Sequence, residues 1–208
     1  MANPNPSPQY GYHVQSNAIT FHPMSLLPFL ALLVLPLQPP VPAKPDVAFM
    51  QGMIAHHAQA LTMSALVPAR TQRPELLALA ERIVVSQQDE IAIMQSWLRE
   101  RKQTVPDVAD AAHAAHTMHA SHDMPGMLLP AQMDSLSAAS GAQFERLFLR
   151  YMIQHHDGAL QMVASLLAAQ GGARDPQVFQ FASDVDTDQR AEIRRMRALL
   201  ERLPSNTP

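Results

Sequence analysis

The chain has 208 residues, of which 47% are hydrophobic and only 5% aromatic, enough for one domain with a buried core and a leader. Its net charge is −3, so no basic surface indicates nucleic acid as a partner. The absence of cysteine excludes disulfides and thiolate metal sites, and leaves histidine, methionine and carboxylates for any metal chemistry. The 13 methionines and 10 histidines are the unusual part of the composition.

The N-terminal 43 residues predict a leader outside the folded domain. The apolar run Leu26–Leu37 has the length of a signal-peptide core but is too short to cross a bilayer, which needs about 20 residues. Small residues at 41–43 offer cleavage after Ala43. No Lys or Arg precedes the run, which is explained if translation starts at Met24; the alternative is a disordered proline-rich arm. We expect an exported protein, periplasmic or extracellular, without a membrane span in the mature chain.

From Pro45 onward the hydrophobic pattern predicts helices and no strand of convincing length. In the first helix, apolar positions and one histidine alternate at steps of four and three, which places them on one face. The predicted helices and their signals are: a first helix from Asp46 to a turn at Pro68–Pro74; a second from Glu75 to Lys102; a short helix at Ala131–Ala139; a third long helix opened by a Ser140–Gln143 capping box and closed near Gly171; and a last helix from Asp175-Pro176 to Leu203.

One stretch of the chain occurs twice. Residues 49–63 recur as residues 148–162, with Phe, Ile, a histidine pair, Ala, Leu and two methionines in register. A second motif, Gln-x-x-Glu-Ile-x-x-Met, occurs at 87–94 and again at 189–196. The repeating unit is therefore predicted to be a helical hairpin, and two hairpins predict an all-α four-helix bundle. The predicted organisation is a leader (1–43), a first hairpin (44–106), a Met/His-rich linker with a short helix (107–140) and a second hairpin (141–208).

The histidine pairs are the first candidate metal ligands. Adjacent residues of a helix point about 100° apart, so each imidazole needs partners from a neighbouring helix to hold an ion. We expect the first histidine of each pair to face the core and the second to lie at the margin of that face. The candidate ligands of the bundle are Met53, His56, His57, Glu90 and Met94 from the first copy, and Met152, His155, His156, Glu192 and Met196 from the second. The alternative is that these are core histidines hydrogen-bonded to Glu90, Glu192, Gln87 or Gln189.

The linker between the two copies is the stronger candidate. Its histidines step by three residues and alternate with methionines, in a segment predicted to be helical from Asp107 to about His119. Imidazole suits Cu(II), Zn or Ni, and thioether selects Cu(I) where no thiolate is present, so copper is the expected metal and another transition metal the alternative. The alternative for the segment itself is a polar connector without metal. The candidate ligands are His113, His116, Met118, His119, His122, Met124 and Met127.

Motifs of catalysis are missing from the sequence. Di-iron carboxylate bundles use Glu-x-x-His, and no glutamate here has a histidine three residues later. The sequence also contains no His-Glu-x-x-His, no Gly-x-Ser-x-Gly and no phosphate-binding glycine loop. A di-metal redox enzyme that uses Glu90 and Glu192 is accordingly only a third hypothesis.

The same residues resemble the helical-bundle family known as domain of unknown function 305. The similarity rests on Asp46 through Ala60, on 87–94, and on Met124-Pro125-Gly126-Met127 through Ala159, and it covers nearly everything from Asp46 to Leu203. It implies a ferritin-like four-helix bundle, usually exported, with copper binding through Met and His in some members. Glu145 stands where many relatives carry Asp. Leu149 stands in the second copy where the first has Met50, so the copies do not supply equal sets of thioethers.

The two leading functional hypotheses, ahead of the di-metal redox enzyme, follow from these observations. The first is an exported protein that binds copper for buffering, transport or resistance, with another copper-handling protein as its partner. The second is a non-catalytic structural or partner-binding bundle whose histidines and glutamates form a buried polar network.

Overall fold

The computed structural model describes residue 11, residues 41–110 and residues 124–204. All regular structure in these ranges is helical, which confirms the all-α prediction. The helices are α1 (Lys44–Ala65), α2 (Val67–Arg70), α3 (Pro74–Glu100), α4 (Pro130–Ala138), α5 (Gly141–Ala168) and α6 (Pro176–Arg202). None of these described helices combines the length and the apolar character needed to cross a membrane. The apolar run of the predicted signal peptide lies outside the described residues.

The helix ends agree with the sequence signals at most positions. Asp175 is the N-cap of α6, where its carboxylate accepts from the Gln177 backbone N–H and proline follows at the first helical position. The predicted capping box at Ser140 is wrong: Ser140 is the N-cap residue of α5, but its side chain makes no capping bond. Helix α5 also ends at Ala168, three residues before Gly171. In the predicted turn at Pro68, the chain instead makes the single-turn helix α2.

The long helices bury one face each, and a polar belt divides their core in two. Helix α1 packs on α3, α5 packs on α6, and α1 and α5 pack on each other. One apolar cluster contains Met63, Ile83 and Phe148; the other contains Phe49, Trp97 and Phe181. Along every long helix the two clusters are separated at mid-length by polar residues, which are buried except for the part-buried Glu90: His56 and His57, Gln87 and Glu90, His155 and His156, and Gln189 and Glu192. The candidate site is therefore a layer inside the bundle.

Two carboxylates near the starts of α1 and α5 bind the turns of the opposite helix pair. Asp46 is fully buried and accepts from the backbone N–H groups of Ala173 and Asp175, at 2.6 and 3.4 Å, in the turn before α6. Glu145 is 5% exposed and accepts from the Thr71 hydroxyl at 2.6 Å and from Arg73 Nε at 2.8 Å, in the turn before α3. Each carboxylate therefore ties its helix to the other pair.

The end of α3 is joined to the start of α6 at Asp175. The Arg101 guanidinium lies over the Trp97 ring, 4.5 Å from its centroid, and donates to the Asp175 carboxylate at 2.8 Å. Burial raises the pKa of Asp175, but the Gln177 N–H and Arg101 outweigh it and hold the pKa below its usual value.

Replacing Glu145 by glutamine is expected to lower the free energy of unfolding by about 1–2 kcal/mol, because Arg73 loses a charged acceptor at a buried position. Urea denaturation at neutral pH measures the change. The matched control is Glu75→Gln, since Glu75 lies exposed in the first turn of α3, and its change should stay within about 0.5 kcal/mol. Equal effects of the two substitutions would contradict a special role for Glu145.

Candidate functional site

The four histidines of the repeated stretches lie at the centre of the polar belt. His56, His57 and His156 are fully buried, and His155 is 1% exposed. The rings of His56 and His155 meet across the α1–α5 contact with their centroids 3.8 Å apart, whereas the rings of each adjacent pair lie 6.4 and 6.2 Å apart. The expected divergence of adjacent imidazoles is thus present. The close pair forms between the two helices.

The second histidine of each pair makes a hydrogen bond to a glutamate of the neighbouring helix. His57 Nε2 lies 2.5 Å from Glu90 Oε2, and His156 Nε2 lies 2.6 Å from Glu192 Oε2. The expectation that His57 and His156 lie at the margin of the core is wrong. The neighbouring helix covers them as fully as the first histidines, because its glutamate supplies the acceptor that makes their burial tolerable.

The first histidine of each pair donates to a backbone carbonyl. His56 Nε2 lies 3.1 Å from the Pro125 oxygen, and His155 Nε2 lies 3.0 Å from the His56 oxygen. A carbonyl oxygen can only accept, so Nε2 carries the proton in both rings and a neutral ring keeps its lone pair on Nδ1. The geometry therefore assigns the tautomer of His56 and His155.

These Nδ1 atoms are the feature of the belt that a metal could use. Nδ1 of all four histidines is buried and has no hydrogen-bond partner among the described residues. A neutral imidazole nitrogen with a free lone pair is a metal ligand in its binding form. Within ranges 41–110 and 124–204, however, no group of three or more His and acidic side chains is close enough to hold one ion. Each Nδ1 atom could bind a metal individually, but the described side chains of the belt form a hydrogen-bonded network and not a shared metal site.

Burial keeps the central pair of imidazoles neutral. Burial, together with the nearby His57, lowers the pKa of His56 from 6.5 to about 3, against the opposing effect of the Pro125 carbonyl. Burial likewise lowers the pKa of His155 well below 6.5, with the neighbouring His56 as the next cause. This close pair of rings is thus expected to be uncharged at neutral pH.

A turn within the linker, at residues 124–128, docks over this histidine pair. Besides accepting from His56 at Pro125, it is held at Leu128, whose N–H donates to Gln59 Oε1 at 2.8 Å and whose oxygen accepts from Gln59 Nε2 at 3.0 Å. Gly126 has φ +77° and lies directly on Gly158 of α5. A Cβ added to Gly158 would lie 2.1 Å from the Pro125 oxygen. The sequence offered one signal for this contact, an isolated glycine inside a helix at 158, and it was missed.

The predicted methionine ligands of the bundle lie on opposite sides of the belt. Met53 and Met94 belong to the cluster with Trp97, whereas Met152 and Met196 belong to the cluster with Phe148, and all four are fully buried. The predicted thioether ligands of the first copy are therefore not brought together with those of the second.

Of the predicted linker ligands, five lie outside the described residues and two lie within them. His113, His116, Met118, His119 and His122 lie outside the described residues. Helical geometry begins at residues 108–110, where Asp107 accepts from the N–H groups of Ala109 and Asp110. Met124 is half-buried in the docked turn, and Met127 is 4% exposed in the core.

The fold and the belt define an all-helical protein with paired histidine–carboxylate contacts in its core. The chain belongs to the family called domain of unknown function (DUF305), whose model matches residues 46–200. A DUF305 fragment from Deinococcus radiodurans has a similar structure, with TM-score 0.67 and 34% sequence identity, over 79% of this chain and 100% of that one.

A second similar structure carries metal. CopM in its Cu(II)-bound form has TM-score 0.61 and 30% identity, over 75% of this chain and 95% of that one. CopM in its Cu(I)-bound form has TM-score 0.57 and 27% identity over the same shares. Among curated proteins, the uncharacterized protein L153 of Acanthamoeba polyphaga mimivirus is 47% identical over 57 residues, which span 27% of this chain and 38% of the viral protein.

Proposed function

We propose that this protein is an exported copper-binding protein, built from two repeated helical hairpins, that buffers or carries copper or confers resistance to it. The support is its likeness to CopM, which is solved with Cu(I) and with Cu(II), together with the Met/His-rich segment 113–127 in the sequence. Soft thioethers suit Cu(I) and imidazoles suit Cu(II), so the segment has donors for both oxidation states.

In this proposal the Met/His-rich linker captures the copper ions, and the polar belt has a secondary role. Every belt histidine uses Nε2 in a hydrogen bond, so an ion bound there through Nδ1 must enter a fully buried layer. Binding at the belt would therefore be slower than at the linker. Other transition metals and a copper-handling delivery protein are compatible with the same donors.

Export rests on the apolar run and the cleavage sequence. Residues 41–43 are not helical, and α1 begins at Lys44, so cleavage after Ala43 leaves all the described helices whole. N-terminal sequencing of the protein recovered from a periplasmic fraction tests this directly. An intact leader on the recovered protein would contradict it.

Copper content of the purified protein tests the function. We expect copper bound at a defined stoichiometry, measured by elemental analysis and by titration. It should be largely lost when the linker ligands are replaced together, as His113, His116, His119 and His122 to Ala and Met118, Met124 and Met127 to Leu. The matched control changes the same chemistry in the bundle, Met53→Leu with Met152→Leu, and should retain most of the copper. Absence of copper binding, or binding unchanged in the linker variant, would overturn the proposal.

The His57–Glu90 and His156–Glu192 contacts favour a second candidate, a structural bundle with a buried polar network. It predicts a melting temperature that neither copper nor a chelator changes. The copper proposal predicts a rise with copper, because a ligand that binds only the folded chain stabilises it. Thermal unfolding with and without copper decides between the two.

A further inference from the structure

We infer that Met124 and Met162 together form a site for a soft monovalent metal ion, Cu(I) or its analogue Ag(I), on the surface between α1 and the docked turn. The inference rests on the proposed copper function and adds a located pair of ligands to it. Met162 was not among the ligands predicted from the sequence.

The exposure of these two methionines separates them from the others. Among the ten methionines in the described ranges, eight are buried at 4% exposure or less, and packing accounts for them. Met124 and Met162 are the two that are partly exposed. Both line one cavity of about 420 Å³, together with Pro45, Phe49, Gly52 and Leu166.

Gly52 brings the two side-chain ends together. A Cβ built on Gly52 would lie 3.4 Å from Met162 Cε and 3.9 Å from Met124 Sδ. Because the glycine has no side chain, both thioethers reach across the surface of α1 at the same point. The corresponding position of the second stretch is Tyr151, and the residue corresponding to Met162 is the fully buried Met63. The arrangement therefore occurs on one side of the bundle, where the turn docks.

The docked turn fixes where Met124 lies. Pro125 and Gly126 sit on Gly158, and Met162 follows Gly158 by four residues, on the same face of α5. Met124 directly precedes the part of the turn that His56 and Gln59 hold by hydrogen bonds. The position of Met124 above Met162 is thus set by backbone contacts, independently of any metal.

The chemistry of the cavity selects a soft ion. Two thioethers are neutral, polarizable donors that bind Cu(I) without losing a proton, whereas the apolar walls disfavour a hydrated divalent ion. His122 precedes Met124 by two residues in the sequence and is the nearest further donor along the chain.

Silver titration of the full chain, labelled at the methionine ε-methyl carbons, tests the site. Ag(I) replaces Cu(I) because it does not change oxidation state. We expect the Met124 and Met162 resonances to shift together and saturate at the same silver concentration, while the buried Met63 resonance stays in place. Met162→Leu should weaken the binding that shifts Met124 by about tenfold. Met63→Leu, the matched control, should not change it.

The outcomes separate this site from the copper function. If Met118 responds to silver but Met162 does not, the site is overturned and the copper function stands. If Met124 responds without Met162, the pairing is likewise overturned. If no methionine resonance responds, the site is overturned, and if the purified protein also takes up no copper, the proposed function fails with it. Leucine matches methionine closely in volume, and Met162 is partly exposed, so loss of folding does not obscure the result.

Discussion

Lowering the pH from 7 to 5 is expected to reduce the free energy of unfolding by about 4 kcal/mol, through His56 and His155 together. Each has a folded-state pKa well below its unfolded value of 6.5, so the unfolded chain binds more protons throughout this range. Their contribution is complete above pH 6.5 and is lost as the pH falls toward the folded pKa, which is about 3 for His56. Asp188, whose pKa is raised by burial and by Glu90, takes up a proton more readily in the folded state than in the unfolded chain and so opposes part of this loss.

Urea denaturation at a series of pH values measures this dependence. Below pH 5.5 the slope should approach two protons, or about 2.7 kcal/mol per pH unit. His155→Gln keeps a donor for the His56 carbonyl but does not titrate, so this control should reduce the slope by about one proton. A flat profile between pH 6 and 4.5 would show that the imidazoles of His56 and His155 are already solvated in the native protein.

Gly158→Ala is expected to destabilise the protein by roughly 3 kcal/mol, although alanine is the better helix former. The added Cβ would lie 2.1 Å from the Pro125 oxygen and 2.6 Å from the Gly126 Cα, which are backbone atoms and cannot rotate away. The turn must therefore lift, and His56 Nε2 loses its acceptor in a fully buried position. Chemical denaturation gives the size of the effect.

Gly52→Ala is the matched control in α1, and its effect should have the opposite sign. Its Cβ would meet only the ends of two flexible methionines, at 3.4 and 3.9 Å. Removing a helical glycine there should stabilise the protein by about 0.5–1 kcal/mol. Two destabilising substitutions of similar size would mean that the docked turn adds nothing at Gly158.

The helices were predictable because their signals are local. The spacing of Phe49, Met53, His56, Ala60 and Met63 already places them on one face, and all are buried. Asp175 followed by proline marks the start of α6 for the same reason. Such patterns need no knowledge of what lies opposite the helix.

The partners inside the belt were not predictable, because they depend on the depth and rotation at which the helices pack. The sequence left open whether Glu90 shares a metal with a histidine or accepts its hydrogen bond, and it did not indicate which histidine. The Pro125 carbonyl as the partner of His56 depends on a chain segment that returns across the bundle 69 residues later. No periodicity encodes such a contact.

The exchange of carboxylates between the helix pairs has a consequence for folding. Asp46 of the α1/α3 pair fixes the turn of the α5/α6 pair, and Glu145 fixes the turn of the first. Neither pair can therefore complete its own turn before the other has docked. The chain is expected to form its two halves in a single cooperative transition, with no stable half-folded state, because each half supplies the acceptor that closes the other.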